Sequence, residues 1–363
     1  MLTDSVMAQR HTSRAEPSAP CCAPLANLVG RTPLIAIHLR FRRERTVIYA
    51  KAEFLNLTGS IKDRMAHGIL SAAKARGELV PGQPIVEATS GNAGIALAAL
   101  GRALGHPVTI FMPDWMSAER RALLTSHGAN LRLVSREKGG FLGAIAQARE
   151  TAEREGAFLS RQFENDDNWR AHTDGTMPEL FAQMASVGQA PGAFVAGVGT
   201  GGTVMGAARY CAKYGHDIAV HPVEPAESPT LSTGHKVGHH RIQGVSDEFI
   251  PDIVKLEELA PVISVADGDA ILMAQQLAHR LGLGVGISSG ANIVAALKVI
   301  EARGPECPVA TILCDNSARY LSTDLARAEP RQDGYLTPET EYLGIDVMRC
   351  PAELGAPQPS LTS

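Results

Sequence analysis

The chain has 363 residues, enough for about two domains at roughly 150 residues each. Its 45% hydrophobic and 20% charged content is that of a globular chain able to bury a sizeable core, and 34 Lys plus Arg against 38 Asp plus Glu leave a net charge of −4. That balance gives no basic excess for nucleic acid or an anionic membrane surface, and 5% aromatics offer few stacking platforms for bases. No run of about 20 apolar residues is present to cross a membrane, and the first residues lack the apolar stretch of a secretory signal. Six cysteines are too few for a disulfide framework and show no metal-ligand spacing. They read as reduced thiols, and the expectation is a cytoplasmic enzyme that uses no metal.

Residues 1–27, rich in Ser, Ala, Pro and Arg, show no apolar period and predict a flexible N-terminal tail. Short β-rich runs follow at Val47–Ala52, Pro84–Ala88, Val108–Met112, Asn130–Val134, Ala193–Gly199, Ala219–Val223 and Val309–Leu313. They alternate with longer Ala/Leu/Arg stretches of helical period, which predicts α/β units around mostly parallel sheet. The polar run Asn165–Asn168 breaks the pattern and puts the best boundary near 157–168. The expected division is an N-terminal α/β domain over 28–158, a C-terminal α/β domain over 159–328, and an extension over 329–363 with one docked strand near Tyr342–Met348.

In such sheets ligands bind where strands hand over to helices, and four handovers carry unusual residues. The first is Asn56–Arg64, where Ser60 and Asp63 have capping-box spacing and predict a helix starting at Ser60. Lys62 then falls in the first turn, where the helix dipole disfavours a positive charge. A lysine that must lose its proton, to form a Schiff base or act as a base, gains there; an ordinary surface lysine fits the same segment. The second is Thr89-Ser90-Gly91-Asn92-Ala93-Gly94, between the run ending at Ala88 and a helix over Ile95–Leu104. Its small residues let amides converge on an anion such as a substrate carboxylate, although Ser90 and Asn92 equally serve as helix caps.

The third is Gly199-Thr200-Gly201-Gly202-Thr203, after the run from Ala193 and before a helix over Val204–Tyr214. Backbone N–H groups, two hydroxyls and a helix N-terminus aimed at one point make a phosphate cradle. Gly197, Gly199 and Gly202 also match the dinucleotide fingerprint, with Glu224 placed to hold a ribose, so an NAD-dependent dehydrogenase competes. The fingerprint sits mid-chain, however, and a dehydrogenase leaves Lys62 and the asparagine loop without a role. The fourth handover is Ser288-Ser289-Gly290, ahead of a helix over Ile293–Glu301, where a neutral hydroxyl either bonds a ring nitrogen or caps the helix.

Taken together, these loops resemble the fold-type II pyridoxal-phosphate enzymes, most closely the cysteine synthases (O-acetylserine sulfhydrylases) and the catalytic core of cystathionine β-synthase. The likeness runs from about Leu28 to Leu325 and includes Gly30–Leu34, Gly59–Arg64, Thr89–Asn92, Gln162–Asn165, Gly199–Thr203, Ser288–Gly290 and Arg319–Thr323. The resemblance implies two three-layer αβα domains with the active site between them, and pyridoxal 5'-phosphate as cofactor. By it Lys62 forms the internal aldimine and Asn92 contacts the phenolic oxygen. Gly199, Thr200, Gly201, Gly202 and Thr203 hold the phosphate, and Ser289 meets the pyridine nitrogen. Thr89, Ser90, Asn92 and Gln162 bind the substrate carboxylate.

The implied reaction is β-replacement on an activated serine such as O-acetyl-L-serine by a sulfur nucleophile, through an α-aminoacrylate, to give L-cysteine. A homodimer acting on small molecules is implied as well. The chain departs from the family pattern at Ala93, where threonine is usual, in the turn Gly244–Phe249 with its Asp247 and Glu248, and at Cys314–Ala318. These departures keep open a S-sulfocysteine synthase, an O-phosphoserine-dependent cysteine synthase, a cysteine desulfhydrase, a diaminopropionate synthase and a cystathionine β-synthase-like activity. A non-catalytic pyridoxal-phosphate-binding protein is the alternative of another class. Cys21, Cys22, His235, His239 and His240 suggest no metal or haem site.

Overall fold

The computed structural model describes Leu25, residues 27–245 and residues 248–352. Most of the N-terminal tail, with Cys21 and Cys22, and the end of the C-terminal extension therefore lie outside the described residues, as do Ser246 and Asp247.

Eleven strands form two sheets. They are β1 (Leu34–Phe41), β2 (Glu44–Ala52), β3 (Ile85–Ala88), β4 (Val108–Pro113), β5 (Asn130–Val134), β6 (Phe158–Leu159), β7 (Ala193–Gly197), β8 (Ala219–Pro225), β9 (Ile263–Val265), β10 (Val309–Leu313) and β11 (Thr340–Met348). The smaller sheet runs β5-β4-β3-β6 and is parallel throughout. The larger runs β11-β1-β2-β10-β7-β8-β9, parallel from β2 through β9, with β1 antiparallel to both β2 and β11. Strands with apolar residues on both faces, such as Val309–Leu313, occupy interior positions, as buried parallel strands should.

Among the described residues ten helices connect them: α1 (Lys62–Ala75), α2 (Asn92–Ala103), α3 (Ala118–Ser126), α4 (Gly140–Glu155), α5 (Asp166–Ala171), α6 (Met177–Ala185), α7 (Gly202–Tyr214), α8 (Thr230–Thr233), α9 (Asp267–Leu281) and α10 (Ile287–Arg303). The largest apolar core lies between the larger sheet and α9–α10, with a second on its opposite face against α6 and α7. A third packs α1 and α2 on the smaller sheet.

The larger sheet draws on both ends of the chain. β1 and β2 precede Lys62 yet lie beside β10, so a boundary near 157–168 does not describe the sheet to which residues 34–52 belong. Strand β1 was not among the expected elements; its His38 and Arg40 interrupt the apolar run, and its identity depends on β2 and β11 on either side. The docked strand in the C-terminal extension is β11, two residues longer than the sequence suggests.

Behind α1 lies a buried ion cluster. Arg64 donates through Nε to Glu53 at 2.6 Å and through Nη2 to Glu179 at 2.7 Å; Lys51 Nζ donates to Glu179 at 2.7 Å and to the Thr32 hydroxyl at 2.7 Å. Two cations face two carboxylates with almost every polar atom bonded. The burial of Glu53 would raise its pKa, but Arg64 and Lys51 outweigh this and hold it at about 2.

Candidate active site

Three strand ends of the two sheets converge on one cavity of about 950 Å³. Thr89 follows β3, Gly199 and Thr200 follow β7, and Cys314 follows β10; all line it, together with Lys62. Asn292 on α10 ties two of these ends together, accepting from Gly197 N–H at 2.8 Å and donating to Ile312 C=O at 2.8 Å.

Lys62 opens α1, and the segment before it is anchored by the Ile61 N–H donating to Cys314 C=O at 2.9 Å. The helix begins at Lys62 rather than Ser60, and the Ser60 hydroxyl accepts from the Lys62 N–H at 3.3 Å rather than from Asp63. The Asp63 carboxylate instead accepts from the Thr58 N–H at 2.7 Å and the Thr58 hydroxyl at 2.6 Å, which holds the turn before the helix. Among the described residues no side-chain hydrogen bond engages Lys62 Nζ, which faces the cavity. Burial lowers its pKa, and the nearby Cys314 and Asp315 act in the opposite direction.

The glycine loop sits beside this amine: a Cβ on Gly199 would lie 4.0 Å from Lys62 Nζ and 2.4 Å from the Gly244 carbonyl oxygen, so only glycine fits. Gly201 takes a left-handed φ of +86° with a Cβ position 2.2 Å from Val254 Cγ2, which turns the chain into the start of α7. Thr200 and Thr203 line the cavity, and Asn168 Nδ2 donates to Thr200 Oγ1 at 2.9 Å. Gly201 and Gly202 shape the turn from outside the cavity wall. A loop that admits no side chain, two hydroxyls and a 13-residue helix N-terminus fit the phosphate of pyridoxal phosphate.

On the opposite wall, Thr89, Ser90, Gly91, Asn92 and Ala93 line the cavity, with Gln162 beside them donating through Nε2 to Ala88 C=O at 2.8 Å. Asn92 is the first residue of α2, and its amide does not cap that helix. It donates to Asp315 Oδ2 at 2.5 Å and accepts from Arg319.

Two expectations change. Helix α10 begins at Ile287, six residues earlier than its apolar period suggests, so both serines lie in its first turn. Ser288 lines the cavity, whereas Ser289 is fully buried and its hydroxyl accepts from the Cys314 N–H at 2.9 Å. Of the pair, Ser288 is thus the hydroxyl open to the cavity. Glu224, the ribose-binding acid of the dehydrogenase alternative, is buried and occupied: it accepts from the N–H of Leu231 at 2.9 Å and the Ser264 hydroxyl at 2.9 Å. It does not line the cavity.

Sequence reasoning missed much of the wall. Trp115, Arg120, Phe141, Phe163, Glu248 and Cys314 all line it. Arg120 is buried with its Nε unpartnered, close enough to Gly91 that a Cβ there would lie 2.8 Å from that atom. In sequence Arg120 is one charge in the run Glu119-Arg120-Arg121, indistinguishable from a solvated helix face. The thiol of Cys314 is pushed up to about 11, chiefly by burial, and stays protonated. Of the two acids in the Gly244–Phe249 turn, Glu248 reaches the cavity, where it accepts from Lys236 Nζ at 2.8 Å, and Asp247 lies outside the described residues.

Comparison with known proteins gives consistent results. The model of the family described as pyridoxal-phosphate dependent enzyme matches residues 25–315. A probable cysteine synthase of Bacillus subtilis is 40% identical over 304 residues, covering 84% of this chain and 97% of that protein. A cysteine synthase of Staphylococcus aureus is 39% identical over 301 residues, with 83% and 96% covered. Among solved structures, a hydrogen sulfide-producing enzyme from Fusobacterium nucleatum superposes with a TM-score of 0.87 at 50% identity, covering 90% of this chain and 98% of that one. Cysteine synthase from Entamoeba histolytica gives a TM-score of 0.78 at 34% identity, with 93% and 97% covered.

Proposed function

The chain belongs to the pyridoxal-phosphate dependent enzyme family, and we propose that it works as a cysteine synthase, converting O-acetyl-L-serine and sulfide to L-cysteine and acetate. Its fold is that of the fold-type II members, and pyridoxal 5'-phosphate is its cofactor. The observation that carries the reading is the Lys62 amine, free of side-chain partners, in one cavity with a glycine cradle on one side and the Thr89–Asn92 loop on the other.

When bound, the cofactor supplies an electron sink that acidifies the α-proton of an amino acid and lets its β-substituent leave. Lys62 carries it through Nζ, with the phosphate held by the N–H groups of Gly199–Thr203 and the hydroxyls of Thr200 and Thr203. Asn92 supports the ring oxygen. Ser288, the hydroxyl of the pair that lines the cavity, would supply a neutral partner to the ring nitrogen. Thr89, Ser90, Asn92 and Gln162 orient the substrate carboxylate. Lys62 Nζ, which burial leaves more readily neutral than an exposed lysine, would accept the α-proton. The smaller sheet, with the substrate loop at the C-terminal end of its interior strand β3, is the body that closes over the substrate and excludes water.

The same reading makes the enzyme a symmetric homodimer of the cytoplasm. The edge strand β11 leaves Leu343 and Val347 exposed, and the four cysteines among the described residues are free. No helix of the described residues is long and apolar enough to cross a membrane.

A second reading, release of sulfide from L-cysteine, is favoured by the 50% identity to the hydrogen sulfide-producing enzyme and by the acidic Glu248 in the cavity wall. One experiment separates the two. Purified holoenzyme is given O-acetyl-L-serine with sulfide, and separately L-cysteine alone. Cysteine formation faster than sulfide release supports the synthase, and the reverse order supports the second reading.

A further inference from the structure

A buried carboxylate behind the asparagine loop has no role in the reaction as described. Asp315 follows β10 and is fully buried; its Oδ2 accepts from Asn92 Nδ2 at 2.5 Å and from the Tyr320 hydroxyl, while Oδ1 has no hydrogen-bond partner. Among the described residues it forms no salt bridge, and the cation it acts on is Lys62, through space. Burying a carboxylate on these terms costs stability, and such a group calls for a reason. It also falls in Cys314–Ala318, the segment where the sequence departs from the cysteine-synthase pattern.

The reason lies in the group it holds. The Asn92 side chain is gripped at both ends: Nδ2 donates to Asp315, and Oδ1 accepts from Arg319, which is itself tied to the Thr58 carbonyl. A guanidinium only donates, and Asp315 Oδ2 already accepts from the Tyr320 hydroxyl, so the two partners fix which end of the amide is which. A flipped amide would set oxygen against carboxylate and N–H against guanidinium, and lose on both sides. With one N–H taken by Asp315, Asn92 keeps a single N–H for the cavity that it lines.

We propose that Asp315 is a positioning residue that, opposite Arg319, locks the Asn92 amide with its remaining N–H presented to the cofactor's ring oxygen. This rests on the reading that the cavity holds pyridoxal phosphate with Asn92 against it.

The test is a double-mutant cycle on holoenzyme with Asp315→Ala, Asn92→Ala and the pair, read by the visible absorption band of the lysine-bound cofactor, by cofactor affinity and by steady-state kinetics. D315A is expected to move the band in the same direction as N92A. It should weaken cofactor binding by about tenfold, the usual effect of losing one well-placed hydrogen bond, and lower kcat by about tenfold with KM for O-acetyl-L-serine changed less than about twofold. In the N92A background D315A should add nothing. Effects of the two that multiply, or a D315A protein whose only change is a lower thermal midpoint, would overturn the proposal. Where D315A does not fold, Asp315→Asn decides: its amide oxygen still accepts from Asn92, so its band should stay at the wild-type position, and a band displaced as far as that of N92A would overturn the proposal. A wild-type protein that takes up no cofactor would overturn both this proposal and the functional reading. Non-additive cycles are the one outcome specific to Asp315.

Discussion

Two faces of α1, separated by two residues of sequence, handle buried charge in opposite ways. Arg64 points back into a cluster where it and Lys51 balance Glu53 and Glu179, and nearly every polar atom has a partner. Lys62 points forward into the cavity with no side-chain partner, in a wall that includes the unbonded Nε of Arg120 and that Asp315, with its unbonded Oδ1, backs. Two buried carboxylates beside α1 diverge as well. Glu53, paired with Arg64 and close to Lys51, titrates at about 2, whereas burial pushes Asp63 up to about 6 against its Thr58 bonds and the weaker pull of Arg319. A folded chain leaves polar groups unsatisfied at a cost, so their concentration on one side of a helix marks the side that a ligand completes.

Breaking each face separately should produce losses of different kinds. Lys62→Ala is expected to abolish the visible band and to cut turnover by roughly 10²–10⁴-fold or more, with a thermal midpoint close to wild type. Absorption and cysteine formation check this, and retained turnover would remove Lys62 from the mechanism. Arg64→Ala should do the converse, destabilising the fold by about 3–5 kcal/mol because two buried carboxylates lose their cation; urea unfolding measures it.

Acid sharpens the contrast. The folded pKa of Glu53 lies below its ordinary value of 4.5, so its stabilisation is complete above 4.5 and disappears as the pH falls toward about 2. Asp63 has the opposite sign: its folded pKa of about 6 exceeds the ordinary 3.8, so its ionisation erodes stability as the pH rises between the two. Urea midpoints across the acid range should therefore fall less steeply with acid in Glu53→Gln, and lose the decline between pH 3.8 and 6 in Asp63→Asn. The smallest effects belong to the serine pair. Ser288→Ala should shift the cofactor band with little change in stability, while Ser289→Ala should cost about 1 kcal/mol from the lost Cys314 N–H bond and leave the spectrum alone. The reverse pattern would restore Ser289 to the ring nitrogen.

That serine exchange illustrates what the sequence could and could not specify. Both residues are small hydroxyls at a helix start, and which one faces the cavity depends on a 100° step around a helix whose first turn carries almost no polar signal. The glycine loop, the asparagine loop and Lys62 were legible as a set in chain order, since each alone also reads as an ordinary connection. The seven β-rich runs were legible from Val, Ile and Ala in short stretches bounded by turns. The ion cluster was not, since Arg64 and Glu179 are far apart in sequence and each alone reads as a surface charge. Nor were Arg120 and Trp115, which become part of the wall only when the smaller sheet stands opposite β7 and β10.

The larger sheet also sets an order of assembly during synthesis. The smaller sheet is continuous from Ile85 to Leu159, so its four strands can pair as soon as that stretch leaves the ribosome. β1 and β2 emerge first but must wait: β2 needs β10, and β1 is sealed only by β11 near the end of the chain. The Ile61–Cys314 bond places Lys62 in the same queue. A nascent chain cut before Cys314 thus holds every residue proposed for the phosphate cradle and the substrate loop, but lacks the Cys314 carbonyl that ties the start of α1 to the larger sheet. Acquisition of the cofactor then becomes a clock for completion of the polypeptide, and a chain truncated ahead of β10 should remain colourless however well its smaller sheet has folded.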